Sequence, residues 1–197
     1  ITIQIAGLVP KGSALQRRGA QVGDGIYVTG TLGDAGLGLA SVQKRVELPQ
    51  SAREYVEWRL NRPTPRLSEG QALLGIANSA IDVSDGLIAD LGHILNASGV
   101  GASLQVDRLP LSEALREYAW GDFFSIEKAW DLALSAGDDY ELCFTVPPSQ
   151  EAALINALPT GSYTRIGTIE MAPGLRCRDA EGRLFTPKQK GSQHFAK

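Results

Sequence analysis

The irregular order of strand-like and helix-like segments in this 197-residue sequence predicts an α+β fold. Two observations carry that expectation. Short apolar runs of strand character recur along the chain, with helical apolar spacing between only some of them. The sustained β–α alternation that builds a purely parallel sheet is absent. Ile1-Thr2-Ile3-Gln4-Ile5-Ala6 alternates apolar and polar like a strand inside a sheet, and the chain starts within it on Ile1 rather than Met, as expected of a truncated or proteolysed product. Gly25–Thr29 reads as a buried strand that runs through the glycine-rich Gly30–Gly38 turn into a helix reaching about Val46.

The prolines of Asn61-Arg62-Pro63-Thr64-Pro65-Arg66 make that stretch a rigid connector, because proline forbids helix both at its own position and before it. A helix from Leu67 to about Ala77 and a strand over Ser79–Val83 follow. Leu87, Ile88, Leu91, Ile94 and Leu95 then fall on one helical face, Gly99 ends that helix, and Ser84 or Asp85 is the natural N-cap. Beyond it the pattern predicts a strand at Ala102–Val106, a helix at Glu113–Ala119 and a strong strand at Tyr140–Val146. Pro147-Pro148 ends that strand, and Ser149 caps a helix to Leu158. Late strands at Tyr163–Ile169 and Leu175–Arg178 lead to a turn at 179–182.

A formal net charge of −3 argues against nucleic acid or an anionic membrane surface as the main partner. No apolar run approaches the roughly 18 residues of a membrane span, and no signal peptide is legible, so the expected location is the cytoplasm. Cys143 and Cys177 lack zinc-ligand spacing; two buried or idle thiols fit better than a disulfide.

Two acidic clusters hold most of the chemical information. One is Ala80-Ile81-Asp82-Val83-Ser84-Asp85-Gly86-Leu87; the other is Gly137-Asp138-Asp139-Tyr140-Glu141-Leu142. Neither has a Lys or Arg within four residues. Carboxylates this close repel one another, and a hard cation such as Mg²⁺ or Ca²⁺ is the partner that several oxygens favour. Mg²⁺ held by few protein oxygens completes its shell with water and phosphates, which points to phosphate chemistry. The plainer readings are an N-cap for Ser84 or Asp85, a solvated turn for Asp138 and Asp139, and an outward strand position for Glu141. The strand end before the helix would also turn backbone N–H groups toward a phosphate. Gly30–Gly38 is either tight packing or a phosphate cradle, without the Gly-Lys-Ser/Thr ending of a P-loop. Arg17 and Arg18 are solvated or phosphate contacts. His93 and His194 have no second ligand at useful spacing, and no nucleophile–base arrangement is legible.

Four segments, Gly25–Ala35, Arg62–Arg66, Ala80–Leu87 and Gly137–Leu142, together resemble the bacterial thiamine-monophosphate kinases. These belong with aminoimidazole ribonucleotide synthetase and selenophosphate synthetase, and they make thiamine diphosphate from thiamine monophosphate and ATP with Mg²⁺. The resemblance implies a mixed β-sheet covered by helices, residues 1–10 being the remnant of a strand from an absent N-terminal domain and 11–197 the C-terminal domain. It implies a homodimer built through the N-terminal domain, which also carries most of the nucleotide cleft. It assigns Asp82 and Asp85 to Mg²⁺, Ser84 and Arg17 to ATP, and Asp138 and Ser192 to the thiamine phosphate end. Asp138 replaces the family's usual Glu, and Ser192 replaces an aromatic residue in the Gly-aromatic-Asp-His-Phe ending, here Gly191–Phe195. A different acceptor within the superfamily, or a non-catalytic nucleotide-binding module, is the alternative. A Rossmann-like binder is weaker, since neither Glu47 nor Glu54 clearly ends a second strand.

Overall fold

The computed structural model describes residue 4, residues 6–120 and residues 125–188, the side chain of Trp120 excepted. Its centre is one seven-stranded sheet: β1 (Gly25–Thr29), β2 (Ser79–Val83), β3 (Gly101–Gln105), β4 (Glu141–Val146), β5 (Tyr163–Glu170), β6 (Gly174–Arg178) and β7 (Leu184–Phe185). Their spatial order is β2-β4-β1-β5-β3-β6-β7. Every neighbouring pair is antiparallel except β3 and β6, so the sheet is mixed, as expected. Among the described residues seven helices pack around it: α1 (Asp34–Val42), α2 (Gln50–Asn61), α3 (Leu67–Ala72), α4 (Leu87–Ser98), α5 (Glu113–Trp120), α6 (Ile126–Ser135) and α7 (Glu151–Ala157).

Successive strand residues point to opposite faces. Ile26, Val28, Ile81, Val83 and Cys143 face the main core, which α4 fills with Leu87, Leu91, Ile94 and Leu95. Tyr27, Phe144 and Val146 face a smaller cluster closed by Leu154 and Leu158 at α7. The helix expected from Leu87 ends, as anticipated, on a left-handed Gly99. No helix among the described residues is long and apolar enough to cross a membrane.

Several expectations change. Ile1, Thr2, Ile3 and Ile5 lie outside the described residues, and 6–10 carry no regular structure. The helix expected to reach Val46 stops at Val42, before a left-handed Lys44, and the one expected to reach Ala77 stops at Ala72. Gly86, not Ser84 or Asp85, precedes α4, and it has no side chain to cap with. Ser149 lies within a single 3₁₀ turn before α7, which has no side-chain cap. Helices α2 and α6 are additional. Helix α2 buries only Ala52, Val56 and Arg59, and α6 buries Ala129, Ala133, Leu134 and Ser135. Small and polar inward residues leave little apolar periodicity to read.

Candidate functional site

The two acidic clusters form a single structure. The Tyr140 N–H donates to the Val83 carbonyl at 2.8 Å, and the Asp138 N–H donates to the Ser84 carbonyl at 2.9 Å. A Cβ on Gly137 would collide with that same Ser84 carbonyl, so only glycine permits the approach. The end of β2 and the entry to β4 are thereby fastened side by side, with Asp82 exposed and Ser84, Asp85 and Asp138 half-buried. Tyr140 stands among the acids. Its phenol is pushed above the ordinary value by burial first, then by the charges of Asp138 and Asp82, a hydrogen bond to Asp138 and the charge of Asp85.

A residue that the sequence did not single out holds the first cluster. Asp90, buried in the first turn of α4, accepts the N–H groups of Ser84 and Asp85, each at 2.9 Å. Burial raises its pKa, these hydrogen bonds lower it, and the charges of Asp85 and Asp82 raise it again. Two readings are corrected as a result. Neither Ser84 nor Asp85 caps the helix, and their N–H groups serve a protein carboxylate rather than a phosphate. An acid in the first helical turn that reaches back to preceding N–H groups is the local sequence signal for this arrangement.

The second cluster divides sharply. Asp138 and Tyr140 point outward, while Asp139 and Glu141 are buried. Asp139 accepts the N–H of Gly33 at 2.6 Å and of Ala35 at 3.1 Å, filling the N-terminus of α1 from about a hundred residues away in sequence. It is therefore no solvated turn residue, and the Gly30–Gly38 segment cradles this carboxylate instead of a phosphate. Nor is Glu141 an outward strand residue. It accepts Thr29 Oγ1 at 2.6 Å, Arg59 Nη2 at 2.9 Å, and Arg66 Nε and Nη2 at 2.6 and 2.7 Å. A Cβ on Gly30 would overlap the Glu141 carboxylate. The Arg62–Arg66 connector thus delivers Arg66 as a two-pronged partner for a buried acid. Asp34 completes the network with bonds from Thr31, Ser112 and Tyr55 and an ion pair to Arg59 Nε at 3.5 Å.

Burial raises the Asp139 pKa from 3.8 to about 7; its two N–H partners lower it, the charge of Asp34 raises it and that of Arg59 lowers it. The unfolded chain releases this proton near 3.8 while the folded chain keeps it to about 7. The associated stability is complete below the lower value and is lost as pH rises through the upper one. Urea unfolding of the parent and of Asp139→Asn between these limits should show the parent losing ground to the variant as pH rises. A pH-independent difference between the two would contradict this assignment.

The family model for the AIR synthase related protein, C-terminal domain, matches residues 21–179. The chain belongs to this family. This AIR synthase related domain is 46% identical over 199 residues to thiamine-monophosphate kinase of Escherichia coli (strain K12), with 100% of the chain and 60% of the relative covered. The crystal structure of thiamine-monophosphate kinase from Stenotrophomonas maltophilia K279a matches with a TM-score of 0.76 at 42% identity, over 90% of this chain and 56% of that one. A structure of AaThiL complexed with AMPPCP and TMP matches with a TM-score of 0.76 at 32% identity, over 92% of this chain and 54% of that one. The chain therefore spans about 60% of the length of the curated relatives it matches.

Other expected site residues of the AIR synthase related domain lie apart or out of view. Arg17 is exposed at a bend before β1, beside Gln16, whose carbonyl accepts the N–H of Ala80 in β2 at 3.0 Å; it forms no ion pair among the described residues. Ser192, His194 and Phe195 lie outside the described residues. Trp130 packs edge-on against Phe185 at 5.6 Å and belongs to the core margin. Cys143 and Cys177 are free and buried, and burial pushes their thiols up to about 12 and 11, which keeps them inert. Among the described residues no three His, Cys, Asp or Glu side chains converge as a metal site. Asp82 and Asp85 nevertheless suit Mg²⁺ in kind: both carry hard carboxylate oxygens and sit at the end of β2. They amount to part of a shell.

Proposed function

We propose that this chain is the C-terminal part of a thiamine-monophosphate kinase, which transfers the γ-phosphoryl group of ATP to the phosphate of thiamine monophosphate. The observation that carries this reading is the fastening of the β2 end to the Asp138–Tyr140 turn, which sets a metal-type carboxylate pair beside an acceptor-type one. Asp82 and Asp85 would hold Mg²⁺, which when bound supplies charge neutralisation between the two phosphate groups. Ser84 and Arg17 would contact ATP. Asp138, with Ser192 beyond the described residues, would face the thiamine phosphate.

An oxygen of the acceptor phosphate attacks the γ-phosphorus; the bond from that phosphorus to the β-bridging oxygen breaks, and ADP leaves. The second pKa of a phosphate monoester is about 6, so the attacking oxygen is largely deprotonated at neutral pH and no general base is required. That agrees with the lack of a legible catalytic histidine or nucleophile. The residues here position groups and oppose repulsion between anions. Residues 1–10 would join 11–197 to an N-terminal domain that supplies further metal ligands and the dimer contact, in a cytoplasmic enzyme.

The test is a phosphorylation assay of the full-length protein with ATP and Mg²⁺, offering thiamine monophosphate and, separately, aminoimidazole ribonucleotide precursors. Thiamine diphosphate should form, and the isolated 197 residues should stay at background, because they bring two metal-type carboxylates and not a full site. Product from the other acceptors alone would point to a different member of the superfamily. Rapid turnover by the isolated chain would refute the incomplete-site reading.

A further inference from the structure

Burial in the segment 138–141 runs opposite to polarity. Two carboxylates, Asp139 and Glu141, are 2% and 0% exposed, while the aromatic Tyr140 between them is 43% exposed. Asp138 and Tyr140 both adopt left-handed backbone, with φ of 68° and 51°. Aspartate tolerates that region; a bulky aromatic residue rarely enters it and stays only where its surroundings force it. The forces are identifiable. Asp139 is fixed in the N-terminus of α1, Glu141 is gripped by Arg59 and Arg66, and the Tyr140 N–H is tied to Val83. These contacts together leave this one ring outward, beside Asp138 and next to the end of β2. A strained, exposed ring at a candidate site is the arrangement expected of a ligand contact rather than of a packing residue.

Resting on the proposed kinase reading, we infer that Tyr140 presents an aromatic face to the cationic ring of the acceptor, with Asp138 as the neighbouring counter-charge. A positively charged heterocycle is attracted both by the face of a phenol ring and by a carboxylate beside it. Tyr140 thereby supplies the aromatic contact that Ser192 lacks the ring to make.

The test compares Tyr140→Asn and Tyr140→Phe with the parent in the full-length protein. Asparagine removes the ring and accepts left-handed backbone, so the turn survives; phenylalanine keeps the ring. Tyr140→Asn should raise the KM for thiamine monophosphate about three- to tenfold and leave the KM for ATP within about twofold, whereas Tyr140→Phe should leave both within about twofold. The neutral-ring analogue of thiamine monophosphate, in which thiophene replaces thiazolium, should bind more weakly than the cation in the parent, and that gap should shrink in Tyr140→Asn. An unchanged acceptor KM in Tyr140→Asn, an equal rise in both constants, or a Phe variant as impaired as the Asn variant overturns the inference. If the parent makes no thiamine diphosphate at all, it is the kinase reading that fails, a result distinct from these.

Discussion

Glu141→Ala should lower stability by about 3–5 kcal/mol, the usual cost of stranding a buried charge by removing its partner. Here two guanidinium groups are stranded at once. Arg59 is nearly inaccessible, with a side-chain exposure of 6%, and its other acidic neighbour, Asp34, lies at 3.5 Å rather than at hydrogen-bond distance. Arg66 is 21% exposed and keeps a 3.7 Å contact with Glu69, so water and Glu69 relieve part of its loss. The larger share of the effect therefore comes from Arg59. In thermal unfolding the variant should melt roughly 10 °C below the parent, given about 2–4 °C per kcal/mol for a chain of this size. Glu141→Gln retains shape and one acceptor oxygen and should fall between the two. A Glu141→Ala melting temperature within about 2 °C of the parent would mean that the clamp contributes nothing net.

Two strands of the sheet were legible from short apolar runs bounded by turn residues, while the alternating segment Ile1–Ala6 falls mostly outside the described residues. Gly25–Thr29 and Ser79–Val83 match the observed strands, and the Leu87–Leu95 spacing gave the inward face of α4. Helices α2 and α6 escaped because their buried positions are mostly alanine, serine and, in α2, an arginine. Asp82, Asp85 and Asp138 were readable as a group, since clustered carboxylates without nearby cations announce themselves locally. The buried acids were not. Their partners lie far off in sequence: Arg66 is 75 positions from Glu141, and Gly33 is 106 from Asp139. One local clue existed, because Glu141 shares strand parity with Cys143 and so belongs to the buried face.

Asp90 accepts the N–H groups of Ser84 and Asp85, and Gly86 precedes the helix. The aromatic and acidic turn beside this segment is held by the buried Glu141 and Asp139.

The decisive measurement is Asp85→Asn in the full-length protein, read as turnover of thiamine monophosphate with ATP against Mg²⁺ concentration, alongside the melting temperature. Asparagine preserves volume and an acceptor oxygen and removes only the charge. If Asp85 holds the metal, kcat/KM should fall on the order of a hundredfold, by analogy with the loss of one positioned transition-state contact. Raised Mg²⁺ should recover part of that loss, and the melting temperature should move by no more than about 2 °C. Near-normal turnover with an unchanged Mg²⁺ dependence would contradict the assignment of this cluster to phosphoryl transfer.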